Sequence, residues 1–427
     1  MSPRLVAYVG LTHLGLVSAA AALEKGFKVL CLDPDEGLVA RLKEGVYPIE
    51  EPGFVETLAT HKERLTFSSD LNDLKSADLV YVAPDIPTDE KGASDFSGIK
   101  FLISMISPVL SQEACLVVLS QVSPGFTRSL QKNGALAGFS SAKVYYQVET
   151  LVFGIALSRA LYPERFIIGA YNPPVSLDAT FESFLKAFGC PLLVMDYESA
   201  EFCKICINAF LAASVSTTNM LEEICQKIGA KWQDIAPALR LDKRIGPYAY
   251  LAPGLGLAGG NIERDLATIQ SLSQSTGTHG AVVTSFIQNS QYRKNWPLHV
   301  FYRQILPLFQ EKVPDLAILG LAYKENTHSI KNSAAVRLIS QLKGFPMQVY
   351  DPLVKGLSGV THKGTALEAV EGADVLFVMT PWDAFKSLSL QDVLGRMNKK
   401  FIVDPYQLLG EERGIAMQDD LTYYSLC

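Results

Sequence analysis

Five short apolar runs in the first third of the chain, separated by helical patterns and turns, constrain the fold more than any other feature. Leu5–Gly10, Lys28–Asp33, Ala77–Ala83, Cys115–Gln121 and Val144–Gln147 are rich in Val, Leu and Tyr and read as strands buried on both faces. Such strands need helices on either side, so the alternation predicts a parallel, doubly wound sheet. A second series begins at Leu316–Ala322 and continues through Met347–Tyr350, Val375–Met379 and Phe401–Val403. Between the two series the period changes. Ser199–Ile228 has apolar residues at helical spacing and no Gly or Pro, which predicts one long helix able to connect or dimerise domains. A glycine-rich loop follows at Pro253–Gly260, then more helix to about Phe309. The expected class is α/β, with two doubly wound domains (residues 1–198 and 311–427) joined by a helical middle region (199–310).

Composition narrows the function classes. A chain of 427 residues, 48% hydrophobic and 19% charged, has ample core for two or three domains and is not a disordered protein. A net charge of −6 gives no general attraction for nucleic acid or anionic membrane, and neither is an expected partner. The N-terminal run enters a strand directly and lacks a secretory pattern, while the apolar stretch Leu16–Leu23 is too short to span a bilayer. The seven cysteines, at 31, 115, 190, 203, 206, 225 and 427, are scattered as in a reducing compartment, and the cytoplasm is expected. Cys203 and Cys206 form a C-x-x-C inside the long helical pattern, with no second pair and no nearby histidine. They read as buried helix thiols, and no metal site is expected.

The first strand ends in Gly10-Leu-Thr12-His-Leu-Gly15 and leads into a small-residue helix, and Asp33 closes the second strand. Strand, tight turn, helix and a following acid are the setting of a Rossmann-type dinucleotide site. The helix N-terminus would hold the pyrophosphate and Asp33 the ribose hydroxyls, favouring NAD over NADP. Thr12 departs from the pattern. It places a branched carbon where a second glycine lets the backbone approach the pyrophosphate. The other reading is an α/β domain that keeps the turn and binds no dinucleotide.

Several motifs in order then resemble one family, that of the UDP-glucose/GDP-mannose dehydrogenases, over nearly the whole length. Ser120-Gln-Val-Ser-Pro-Gly125 is similar to its S-T-V-P-P-G strand end, and Gln147-Val-Glu149-Thr-Leu-Val-Phe153-Gly154 to N-P-E-F-L-R-E-G. Tyr162-Pro-Glu-Arg165-Phe-Ile-Ile-Gly169 follows at the family's spacing. The helix Ala200-Glu-Phe-Cys-Lys204-Ile-Cys-Ile-Asn208-Ala-Phe-Leu resembles A-E-L-x-K-x-x-x-N-A-F-L. Arg244-Ile-Gly246, Pro253-Gly-Leu-Gly256, Gly320-Leu-Ala-Tyr-Lys324 and Tyr350-Asp-Pro352 complete the series. The spacing from Arg244 to Pro253 resembles the UDP-glucose branch rather than those acting on UDP-N-acetylmannosamine or GDP-mannose.

The resemblance implies roles for individual residues. Lys204 and Asn208 share one helix face and would polarise a sugar hydroxyl and stabilise its alkoxide. Asp265 matches an acid that orients or activates water, although a capping acid at a helix start is the competing reading. Glu149 matches the family's first glutamate, a base if its pKa is raised. Gly10, Thr12, Leu14, Gly15, Asp33, Gln121, Arg264 and Lys331 would lie at the NAD site. Glu149, Lys204, Asn208, Arg244, Tyr250, Gly254 and Lys324 would hold the substrate, a UDP-hexose, with Arg244 supplied by a neighbouring subunit of a homodimer or larger assembly.

The departures bear on chemistry. The family's P-G-F-G-F-G-G-S-C-F-P-K-D is here Pro253-Gly-Leu-Gly-Leu-Ala-Gly-Gly260-Asn261-Ile-Glu-Arg264-Asp265, so the nucleophilic cysteine falls on Asn261. A carboxamide forms no thiohemiacetal. The second glutamate becomes Phe153, the strand-end threonine Gln121, and the D-x-R pair Ser329 and Lys331. The expected function is an NAD-dependent nucleotide-sugar oxidoreductase of polysaccharide biosynthesis, stopping after one two-electron step, with Lys204, Asn208, Asp265 and Glu149 around the reacting carbon. A non-catalytic nucleotide-sugar-binding homologue and a redox-neutral, epimerase-like enzyme are the competing classes.

Overall fold

The computed structural model describes residues 4–89, 92–173, 176–310, 312–410 and 421–426. The chain divides into two compact units, residues 1–207 and 208–427, and the division falls inside one helix. The first unit is built on an eight-stranded sheet. Its strands are β1 (Val6–Val9), β2 (Val29–Leu32), β3 (Leu65–Ser68), β4 (Leu79–Val82), β5 (Cys115–Val118), β6 (Val144–Gln147), β7 (Phe166–Ala170) and β8 (Leu192–Asp196), in spatial order β3-β2-β1-β4-β5-β6-β7-β8. All neighbours are parallel except β6 and β7, which run antiparallel.

Side chains alternate across this sheet as the pleat requires. Val6, Tyr8, Val29, Cys31, Leu79 and Tyr81 enter one buried layer. Ala7, Val9, Leu30, Leu32, Val80 and Val82 enter the other. Both faces of β1, β2, β4, β5 and β6 are therefore buried, which is why they stand out in the sequence as unbroken apolar runs. The strands absent from the sequence reading include the half-buried edges β3 and β8.

The second unit carries a six-stranded parallel sheet: β9 (Leu316–Leu319), β10 (Met347–Tyr350), β11 (Thr361–His362), β12 (Val375–Val378), β13 (Lys400–Val403) and β14 (Leu421–Tyr424). Its order, β11-β10-β9-β12-β13-β14, repeats the 3-2-1-4-5-6 pattern of the first six strands of the other sheet. Both are open sheets whose strand order reverses beside the first strand, the place where such folds offer a ligand crevice. The two-Rossmann, α/β architecture read from the sequence is the one observed.

The predicted long helix spans Tyr197–Ile228. Among the described residues it is the one helix long and apolar enough to cross a membrane by length and composition. Polar side chains on part of its surface are packed inside the chain. Glu201, Asn208, Asn219 and Glu222 are buried, and Glu201, Asn208 and Glu222 are engaged by partners from their own unit. Cys203 and Cys206 are half-buried on this helix rather than fully buried as expected, because its pitch carries them to the edge of the packed face.

In the first helix, His13–Glu24, every residue from Gly15 to Leu23 is buried. Small side chains let it lie close on the sheet, and Gly15 marks the tightest point: a Cβ there would stand 2.4 Å from the Gly10 carbonyl oxygen. Gly15→Ala is expected to cost about 1–3 kcal/mol of stability in denaturant unfolding, because the clash is with backbone. Gly98→Ala, at an exposed helix position with nothing within 4 Å, should cost nothing.

Candidate functional site

The turn after β1 is held by its own backbone and by one carboxylate. Gly10 has φ +90°, and its N–H donates to the Leu32 carbonyl at 3.1 Å. The Leu11 N–H donates to Asp33 Oδ2 at 2.8 Å, and the Asp35 N–H to Asp33 Oδ1 at 3.0 Å. Asp33 is half-buried and carries one backbone donor on each oxygen, so each keeps acceptor capacity for a ribose diol. Leu14 packs on the core beneath the turn, and Gln121 is half-buried in the loop after β5.

Thr12 does something its sequence position did not foretell. Its hydroxyl donates to the Ala83 carbonyl at 3.2 Å and accepts from the Asp85 N–H at 3.0 Å. The side chain is a strap between the first turn and the loop after β4. The residues present fit a dinucleotide: the left-handed Gly10, the close helix at Gly15 and the acid at the end of β2 are all in place. Removing the Thr12 side chain would release the strap, so Thr12→Gly should weaken NAD binding even though it clears the branched carbon from the turn. The loss of two hydrogen bonds predicts a fall of about five- to tenfold in calorimetric titration, while Thr12→Ser holds affinity within about twofold.

Beside this turn lies a cluster that the sequence reading passed over. Glu51, fully buried, accepts from the N–H groups of Gly154 (2.9 Å) and Ala156 (3.1 Å) and lies 2.8 Å from His13 Nε2. The ring of Phe153 packs on His13 at 4.3 Å. Phe153 is 39% exposed, so it flanks the turn rather than sealing it.

Glu149, directly after this sheet's sixth strand, has its carboxyl shut inside the first unit although the residue as a whole is half-buried. Burial raises its pKa, opposed by the Thr150 N–H, which donates to it at 2.6 Å, and by the charges of Lys204 and Arg159. Lys204 is half-buried. One turn earlier on the same helix, Glu201 is fully buried and accepts from the N–H groups of Gly125 (2.6 Å) and Thr127 (2.9 Å), capping the helix Phe126–Asn133.

Desolvation pushes the Glu201 carboxyl up to about 7 against those bonds. A folded pKa above the unfolded one favours the native state fully below the unfolded value near 4.5, and that contribution is lost as pH rises to 7. The stability of Glu201→Gln relative to the parent should therefore improve by up to about 3 kcal/mol between pH 5 and pH 8, measured by urea unfolding.

In the second unit the glycine-rich loop leads into the helix Asn261–Thr276. Asn261 is its first residue and is exposed. Asp265 is one turn further on, 1% exposed, and accepts from Asn208 Nδ2 at 2.5 Å, with Arg264 Nε 3.4 Å from its other oxygen. Asp265 is thus no capping acid: the helix begins four residues before it. Arg264 is buried. The Gly254 N–H donates to Asn219 Oδ1 at 2.9 Å. The carbonyl of Tyr250 accepts from Ser214 (3.0 Å) and Thr218 (2.9 Å) while its ring is exposed.

Arg244 is almost fully exposed and paired with Asp242 two residues away, so within its own chain it lines no buried pocket. Lys324 is half-buried and Lys331 exposed. The aliphatic part of Lys331 lies over Gly260, where an added Cβ would meet its Cδ at 3.2 Å. Asn332 donates to the Gly259 carbonyl at 3.1 Å and also bonds Glu263, which pairs with Lys294 at 2.7 Å. The segment from Tyr323 to Asn332 is thereby latched to the residues flanking Asn261.

The second sheet repeats the first turn with one difference. Gly320 has φ +91°, and its N–H donates to the Tyr350 carbonyl at 2.8 Å. Asp351 Oδ2 accepts from Leu321 (2.7 Å), Ala322 (3.0 Å) and the Trp382 indole (3.2 Å), and Oδ1 from Leu353 (2.9 Å) and Val354 (2.8 Å). At 2% exposure and with five donors it has nothing left for a ribose. The chain is thus a two-Rossmann protein with one acid open to a dinucleotide ribose, in the first sheet, and one closed to it.

Comparison with known proteins agrees. Residues 4–187 match the NAD binding domain of the UDP-glucose/GDP-mannose dehydrogenase family, 198–291 its central domain and 317–411 its UDP binding domain. The chain belongs to that family of NAD-dependent oxidoreductases. It is 28% identical to UDP-glucose 6-dehydrogenase TuaD of Bacillus subtilis over 95% of this chain and 90% of that protein. It is 27% identical to the UDP-glucose 6-dehydrogenase of Pseudomonas aeruginosa over 95% and 94%. Among solved structures it resembles a UDP-glucose dehydrogenase from Pyrobaculum islandicum, with TM-score 0.85, 25% identity and coverage of 99% and 97%. It shares the fold of a UDP-D-ManNAc dehydrogenase from Pyrococcus horikoshii, with TM-score 0.84, 20% identity and 99% of each chain covered.

Proposed function

We propose that this protein oxidises a nucleotide sugar, of the UDP-hexose class, by a single two-electron step and releases a carbonyl product. The observation that carries the reading is the side chain at the head of the helix Asn261–Thr276: an exposed carboxamide, one turn before the buried Asn208–Asp265 pair. NAD, when bound, supplies the hydride acceptor. Gly10, Thr12, Leu14, Gly15, Asp33 and Gln121 would hold it, with Arg264 and Lys331 as cationic contacts. Lys204 would stabilise the alkoxide as the alcohol loses its proton, and Asn208 with Asp265 would orient the hydroxyl or a water. Glu149, whose charged form the Lys204 ammonium favours, would receive the proton when ionised. Lys324, Gly254 and Tyr250 would hold the nucleotide sugar. Arg244 would serve a second copy of the chain, a role its outward position favours.

The first oxidation removes one hydride and one proton from a C–OH and leaves a carbonyl. A second oxidation requires a tetrahedral adduct at that carbon, which a thiolate forms by adding to it and a carboxamide does not. A helix N-terminus is where a thiol would be most readily ionised, so Asn261→Cys introduces the group where its pKa is lowered. One NADH per sugar and a carbonyl product are expected from the parent protein. The Asn261→Cys variant should yield some uronate with two NADH, as judged by mass spectrometry and absorbance. Two NADH per uronate from the parent would overturn the reading. No NADH from either, with UDP-sugar binding retained, would favour the non-catalytic binding protein.

A further inference from the structure

A narrow cavity of about 20 Å³ lies inside the first unit, between the sheet and its covering helices, lined by Tyr8, Ser18, Ala21, Tyr81, Leu119, Gln147, Glu149, Ala160 and three phenylalanines. Its size admits one water and little more. Two observations mark it as polar by construction. Ser18, on the buried face of the first helix, is 8% exposed, and its hydroxyl finds no hydrogen-bond partner in the protein. An orphan buried hydroxyl is costly unless something answers it. On the opposite wall, Glu149 turns its carboxyl inward among tyrosines, and the Tyr81 hydroxyl is already committed to Gln147 Oε1 at 2.9 Å.

We propose that this cavity is a binding site for a single water that bridges the Ser18 hydroxyl and the Glu149 carboxyl, and that this water positions Glu149 and sets its proton affinity. It rests on the reading of Glu149 as a carboxyl of the reaction. The charged and titratable groups that act on Glu149 come from several elements. Tyr8 and Tyr81 from the sheet are coupled to it, and Lys204 from the long helix and Arg159 from the helix Ala156–Leu161 favour its charged form. The water adds a donor to the carboxylate that burial otherwise withholds. The bridge runs from the Ser18 hydroxyl through the water to the carboxyl. Ser18 is the positioning residue of this bridge and touches no substrate.

The test does not depend on turnover. The infrared C=O band of protonated Glu149, identified by its loss in Glu149→Gln, is followed against pH. Ser18→Val fills the cavity and removes the water, so the midpoint should move up by about one pH unit, a tenfold gain in proton affinity. Ser18→Ala, the smaller change, should move it the same way by less. In a high-resolution crystal structure of the parent protein, density for a water within hydrogen-bond distance of Ser18 Oγ and Glu149 is expected. A dry cavity, or one midpoint shared by the parent and both variants, overturns the proposal. An inactive protein with the water and the shift in place overturns only the proposed reaction.

Discussion

Each half of this molecule is organised around one carboxylate at the end of a second strand, accepting from the backbone of a glycine turn that ends the first. Without Asp33 the turn at Gly10–Thr12 loses the acceptor that fixes Leu11. Without Asp351 five donors lose their acceptor at once, two of them in the turn after Gly320. Each buried donor left without its acceptor costs about 1–3 kcal/mol. The same clamp thus serves two ends. Saturated and buried, as at Asp351, it is only architecture. Half-buried and with acceptor capacity to spare, as at Asp33, it is architecture that can also bind a diol.

What the sequence made legible follows from burial. Strands buried on both faces are apolar almost throughout, so β1, β2, β4 to β6, β9 and β12 were readable one by one, and β10 and β13, partly buried, were readable from their remaining apolar residues. β3, β8, β11 and β14 expose part of their length and carry the mixed residues of a loop. The strand β7 is buried along its whole length yet reverses direction, and no local pattern announces that. The long helix was legible for the opposite reason: it has no glycine or proline to break it, and only its first two residues, Tyr197 and Glu198, were missed.

Residue types in the site were readable, while the destinations of the side chains were not. Thr12 looks in sequence like an obstacle, and in the fold its hydroxyl ties two loops together. Glu149 reads in sequence as a possible base, and only the fold shows that burial raises its pKa while Lys204 and Arg159 favour its charged form. The His13–Glu51–Phe153 cluster joins positions far apart in the chain, and no spacing rule could have assembled it. Asp265 was ambiguous between cap and site until the helix start was known, and a shift of four residues resolved it.

These placements also weight the functional evidence unequally. Asn208 and Asp265 are buried and bonded to each other, so losing Asp265 would take the acceptor from a buried amide. The fold has reason to keep that pair whatever the chemistry. Position 261 is different: exposed at the head of its helix, it can change from thiol to carboxamide at almost no structural cost. A side chain at such an exposed position can therefore change while buried residues near it are kept, because those are held by packing and this one is not. In the proposed reaction the outcome would turn on that exposed position, whereas the buried pair is kept by the fold itself.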